Sequence, residues 1–338
     1  MKIDLETKPE ESFRQLPVLS ISGRDYNWNE ILAWADSSLY LKDTFGYLSN
    51  TEKVFELSGE LNAQELQNAS NQFRYSQNLI TTEETQKWLD KRLLNQDDLF
   101  TYLYRMLGDQ QFDLEVQSVE AWFEKVEMPS REIWSELHFN NTFDTLIRAF
   151  SSRVIALEKN PSESTDVESV HYKSDEAACL ENAYIELAEK LCTSENLQQC
   201  YKENELDFLE INYETLLFDT LNQAREAWCC LNYDKQSYAE IAKDTNCTHN
   251  EDTAFVKDLP SSLKPHFITT SEKEILQPIM FQHDNKYHVI KICKKNELPF
   301  DSEKIQKQIR EVILADYFFS SDIDRSIQLI NWRVDYNS

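Results

Sequence analysis

Between Leu19 and Tyr40 the chain runs from a short alternating stretch into one where Trp28, Ile31, Leu32 and Trp34 recur at helical spacing. This predicts a strand, a turn at Gly23–Arg24, and a helix. Leu61 to Leu107 reads as successive helices. Thr81 stands three residues before Glu84, the reciprocal spacing that satisfies the free N–H groups at a helix start. Asn95 and Asp98 repeat it, opening a helix with Leu99, Tyr102, Leu103 and Met106 on one face and Gly108 expected as its C-cap. Helical text continues over Val116–Val126 and from Arg131 to about Leu157.

The stretch 160–176 reads as a linker, followed by helical spacing through Ala183, Leu187 and Leu191. After residue 207 the pattern changes. Ile211 to Phe218 is rich in β-formers, and Leu221, Ala224, Trp228 and Leu231 form the stripe of an amphipathic helix. A short helix at Ser237–Thr245 and an irregular stretch to Pro265 come next. Ile279–Phe281, a turn at His283–Asn285 and Tyr287–Cys293 predict a hairpin ending in a buried strand. Two helices are expected at the C-terminal end, in DSEKIQKQIREVILADYFF and DIDRSIQLINWRV. The sum is an α+β chain.

Composition narrows the chemistry. With 338 residues, 41% hydrophobic and 12% aromatic, the chain can bury a substantial core, and it has room for two domains. Its 34 basic against 60 acidic residues give a formal charge of −26, which argues against nucleic acid or an anionic membrane surface as partner. From Glu163 to Glu210 there are 13 acidic and 3 basic residues, read as a solvated surface or as a docking face for a basic peptide. Gly23, Gly46, Gly59 and Gly108 are the four glycines, and none follows Gly108, so glycine-rich phosphate loops and a G-x-S-x-G elbow are absent. No cofactor is expected. The seven cysteines have irregular spacing and no C-x-x-C pair, which fits reduced thiols better than a disulfide framework or a metal site. The charged N-terminal stretch and the lack of any apolar run of membrane-spanning length lead to the expectation of a cytoplasmic protein without a membrane span.

Three segments then stand out in order: YAEIAKDTNC, FVKDLPSSLKPHF and EILQPIMFQHDNKYHVIKI. They resemble the parvulin peptidyl-prolyl isomerase domain, whose counterparts are a short helix entering the active-site loop, a loop leading to a short helix, and a closing hairpin. Lys286-Tyr287-His288-Val289-Ile290-Lys291 is similar to the closing strand of that family. The helices at both chain ends look like the split helical chaperone domain of SurA-type proteins, and cytosolic PpiC-related proteins share the layout. The resemblance implies a helical module from 19–110 and 297–338 and a parvulin-like domain at 208–296; it does not account for the lead-in at 1–18 or for 111–207, read from the pattern as a helical insertion with an acidic linker near 160–176.

It also implies roles. An X–Pro amide rotates over a barrier of ~18–20 kcal/mol, and a parvulin lowers it by holding the twisted amide in an apolar pocket beside two histidines and a Cys or Asp. His288 matches the closing-strand histidine and Cys247 the Cys/Asp position, while Thr215 stands where the first-strand histidine would be. Leu259, Leu263 and Phe267 match the apolar proline pocket, and Asn250–Ala254 matches a glycine-rich turn without carrying a glycine. His249 and His266 are nearby substitutes for the missing histidine. The expected function is a peptide-binding chaperone or peptide-maturation factor for extended, basic or proline-containing polypeptide clients, with a possible tie to a maturation or export system. The alternatives are an active prolyl isomerase and a non-binding scaffold.

Overall fold

The computed structural model describes residues 13–38, 40–41, 48, 54–55, 63–112, 130–159, 174–281, 286–320 and 327–330. Expectations for Val116–Val126, Trp122, the linker at 160–173 and the turn at His283–Asn285 lie outside the described residues. The chain divides into two compact units, unit 1 of Met1–Lys190 with Asp316–Ser338, and unit 2 of Leu191–Ala315.

Unit 1 opens with a hairpin of β1 (Pro17–Ile21) and β2 (Arg24–Asn27). Its two-residue turn is Ser22–Gly23, one position earlier than the sequence suggests, with φ of 50° and 84°. Both turn residues are left-handed, the geometry that matches strand twist in tight hairpins. Helix α1 (Trp28–Ser37) follows directly. Asn27 and Glu30 cap each other's backbone N–H across its first turn at 3.0 and 2.7 Å.

Helices α2 (Ala63–Ser76), α3 (Thr82–Asp90), α4 (Gln96–Phe112), α5 (Ser130–Phe139) and α6 (Phe143–Lys159) continue the unit, with α7 (Ser174–Leu191) at its end. Both expected caps form, Thr81 with Glu84 and Asn95 with Asp98. Gly108 is not a C-cap. Helix α4 runs through it, and a Cβ there would collide with the Val54 side chain, so glycine permits that close approach. The core is aromatic: Trp28 meets Trp134 edge-on at 5.0 Å, and Trp34 meets Phe150 at 5.5 Å, all four buried. Glu181 accepts from Trp34 Nε1 at 3.0 Å and from Arg153 Nε at 3.2 Å, tying α1 and α6 to α7.

The second expected C-terminal helix is replaced, where described, by a strand, β7 (Ile327–Leu329), which pairs antiparallel with β1 to complete a sheet of order β2-β1-β7. Tertiary pairing overrides the local apolar spacing there.

Unit 2 begins with α8 (Ser194–Glu203) and β3 (Glu210–Phe218). Next come α9 (Leu221–Cys229), a π-helical turn at Cys230–Asp234 and α10 (Tyr238–Thr245), whose Ser237 and Glu240 form another reciprocal cap. The stretch expected to be irregular contains an eight-residue strand, β4 (Thr248–Phe255), paired with β3 along its length. A single 3-10 turn, α11 (Lys264–Thr269), β5 (Ile279–Phe281), β6 (Lys286–Asn296) and α12 (Glu303–Phe318) complete the order. The sheet is antiparallel, in order β4-β3-β6-β5. The fold class is α+β, as the sequence predicts. Among the described residues no helix is long and apolar enough to cross a membrane.

Candidate functional site

Strand alternation sorts the unit 2 sheet into two faces. Leu217 of β3 stands opposite His288 of β6, and His288 stands opposite Ile279 of β5, so their side chains share a face. Thr215, opposite Ile290, lies on that face as the next alternate residue. Helix α11 covers it, packing Leu263 and Phe267, with Leu259 just upstream, against Ile211, Ile290 and Ile292.

The structure therefore brings Thr215, His288, Leu259, Leu263 and Phe267 to one face of one sheet. His288 is 9% exposed, with its ring centroid 3.9 Å from that of Phe281, and Thr215 is 4% exposed. The three expected pocket residues are buried as core, Phe267 completely, and they fasten α11 to the sheet. Ile268, Leu276, Ile279 and Phe281 are among the apolar groups that remain half-open around them. Sequence reasoning missed these, although the alternation in Ile279–Phe281 was the available signal.

Cys247 lies elsewhere. It packs with the cluster of Leu216, Phe218, Ala224, Tyr238 and Val289, on the opposite face under α9 and α10. His249 is on that face too, its ring 5.8 Å from Tyr238 and its Nε2 3.5 Å from Glu214 Oε2. His266 is exposed on α11. Residues 250–254, matched by resemblance to a glycine-rich turn, are extended strand opposite β3, and none has a positive φ.

The α9–α10 face holds a polar cluster that the sequence did not reveal. Glu214 accepts from Lys291 Nζ at 3.0 Å and from the Cys293 thiol at 3.2 Å. Burial alone would raise the Glu214 carboxyl. The hydrogen bonds from Lys291 and Cys293, with the charges of Lys291 and His249, hold it below the usual range. Burial pushes the Cys293 thiol up to about 11, helped by the bond to Glu214, and burial also raises the Tyr238 phenol. Among the described residues no group of three or more His, Cys, Asp or Glu is placed to hold a metal ion. All seven cysteines carry free thiols. Under iodoacetamide at neutral pH, exposed Cys229 is expected to be alkylated first and Cys293 among the last, since a thiol near 11 supplies little thiolate. Early labelling of Cys293 in peptide mass maps would contradict the cluster.

No family model matches the sequence, and no curated relative matches it. Solved structures do. The chain is similar to the foldase protein PrsA from Streptococcus pneumoniae, at 12% identity and a TM-score of 0.34, covering 92% of this chain and 91% of that one. It is similar to the foldase protein PrsA from Lactococcus lactis, at 10% identity and a TM-score of 0.30 over 92% and 90% of the two chains. A further likeness is to a SurA-like chaperone structure from Campylobacter jejuni, at 11% identity and a TM-score of 0.18 over 93% and 99%.

Proposed function

We propose that this chain is a chaperone that holds extended polypeptide segments, and that its parvulin-like domain is kept without prolyl turnover. The observation that carries the reading is the division of the expected catalytic group between two faces. His288 shares its face with Thr215 and apolar side chains, while Cys247 and His249 face α9 and α10. Among the described residues, a twisted amide beside His288 meets one imidazole where the parvulin chemistry uses a pair.

The binding surface in this reading is in unit 1. A cleft of about 450 Å³ lies between α2, α3 and α4, lined by Leu66, Leu99, Phe100 and Leu103, with Arg74 and Asp97 also in its wall. Beside it Phe100 stacks on Tyr104 at 5.5 Å, and Tyr104 stacks on Phe55 at 5.1 Å. Phe100 is 47% exposed and Phe55 40%, so the stack offers aromatic faces to an apolar segment. The net charge of −26 favours basic clients, proline-containing ones among them, and service to a peptide-maturation or export system is the narrower form of the proposal.

Two assays test it on the full chain. Suppression of aggregation of a denatured client is expected, and Phe100→Asp should weaken it by roughly tenfold, the cost of a charge on a desolvated anchor. Prolyl isomerisation in a coupled peptide assay should match the uncatalysed rate. Catalysis abolished by His288→Ala would instead establish an active isomerase, and failure to suppress aggregation would leave a scaffold.

A further inference from the structure

Unit 1 holds another cleft, of about 250 Å³, separate in residues from the one assigned to clients. Trp134 and Leu137 of α5 and Phe143 of α6 give it an apolar lining. Its polar groups are Lys91, Arg92, His138, Asn141 and Asp144. In a chain with 60 acidic and 34 basic residues, two permanent cations against one carboxylate reverse the prevailing sign.

Arg92, His138 and Asn141 are held in place. The Arg92 guanidinium lies 3.9 Å over the Trp88 ring and donates to the Trp88 carbonyl at 3.2 Å, leaving further donors of its fork. Trp134 Nε1 donates to the Arg92 carbonyl at 2.7 Å, which pins the chain beside the cleft. The His138 imidazole is stacked on Phe143 at 4.0 Å and meets Trp134 at 4.9 Å. Its Nε2 is buried with no hydrogen bond among the described residues. A buried polar atom of that kind calls for a partner. Asn141, at φ 60°, turns the chain between α5 and α6 at the same wall.

We infer that this cleft binds a carboxylate carried on a compact apolar body, either the free C-terminus of a polypeptide ending in a large apolar residue or a small apolar acid of the same shape. Arg92 and Lys91 take the carboxylate, as a planar fork and a point charge respectively. The apolar body lies against Trp134, Leu137 and Phe143, and His138 Nε2 gains the polar neighbour it lacks. The volume suits one side chain with its carboxylate rather than a folded partner.

The test is calorimetric titration of the full chain with three probes: an N-acetylated tripeptide ending in phenylalanine, its C-terminal amide, and 3-phenylpropionate. The acid is expected to bind at least about tenfold more tightly than the amide, the scale of a charge-assisted hydrogen bond. Lys91→Ala, at an exposed position, should weaken the acid several-fold and leave the amide unchanged. Arg92→Gln should abolish the difference, with a melting curve recorded beside it. Phenylpropionate matching the peptide acid assigns the small acid as ligand, and weaker binding assigns the polypeptide C-terminus. Equal binding of acid and amide, or binding of no probe, overturns the inference. None of the probes is an unfolded client, so failure here leaves the chaperone reading to its own assays.

Discussion

Glu136→Gln is expected to destabilise unit 1 by about 3–5 kcal/mol, the cost of removing one partner from a buried ion pair. Glu136 on α5 and Arg105 on α4 are 5% and 4% exposed and hydrogen-bond directly. The Arg105 guanidinium also lies 5.6 Å over the Tyr102 ring, and burial, followed by the charge of Glu136, raises the Tyr102 phenol. An amide at position 136 keeps the shape but withdraws the carboxylate charge from beside a guanidinium in a poorly solvated place. The second link between these helices, Arg131 to Asp98 at 3.0 Å, is more exposed and contributes less. Replacing both buried partners with apolar residues of similar volume should recover most of the loss, because the desolvation of two charges is removed with them. Urea unfolding followed by tryptophan fluorescence reads mainly unit 1, to which Trp28, Trp34, Trp88 and Trp134 belong, and Trp228→Phe as the background removes the signal of unit 2. An unchanged midpoint in Glu136→Gln would mean that the pair is neither buried nor needed.

The elements legible in the sequence were those whose signal is local. Helix starts at Thr81 and Asn95 are written in two side chains three residues apart, and β6 in the β-branched Val289, Ile290 and Ile292 that follow His288. Strand β4 was not legible. Its residues are mostly exposed, so they show no alternation, and only pairing with β3 makes them a strand. That miss explains the error in grouping the site. Without a strand at 248–255 there is no parity to apply, and only the family resemblance sets Cys247 beside His288, with His249 following as its near neighbour. With Leu217 opposite Thr248 and Leu216 opposite His249, the pleat sends His249 to the opposite face. Strand β7 was misread for a related reason. Three residues cannot display a period, and pairing with β1 decides their conformation.

The same logic bears on catalysis. His288 was found because its strand is conspicuous, but a reaction needs the second group as well, and the identity of residue 215 was plain from the outset. What the fold adds is that His249 faces α10 and His266 faces solvent, so neither of these two joins His288 on its face. The carboxylate-binding cleft was beyond sequence reasoning altogether. Lys91, His138 and Asp144 fall in three separate segments, and only helix packing gathers them.

Unit 1 is expected to become unstable in mild acid through a single imidazole. Burial, followed by the charge of Arg92, brings His138 down from 6.5 to about 3. A depressed histidine favours the folded state above the unfolded value and loses that contribution as pH falls toward the folded one. Here the loss starts near pH 6.5 and is complete near pH 3, because the unfolded chain binds a proton that the folded chain refuses. Across the window it amounts to about 4–5 kcal/mol, and at pH 5 to about 2 kcal/mol. His138→Phe keeps a ring against Phe143 and removes the titration. Carboxylates elsewhere titrate in both proteins and cancel in the difference, so the stability gap between variant and wild type isolates this residue. That gap should shift in favour of the variant by roughly 1.4 kcal/mol per pH unit below 6. A flat difference from pH 7 to 4 would show that the imidazole is protonated as easily in the fold as outside it. A carboxylate seated beside Arg92 opposes the arginine's charge and stabilises the protonated ring. The same titration with the acid peptide present should therefore bring wild type closer to the variant.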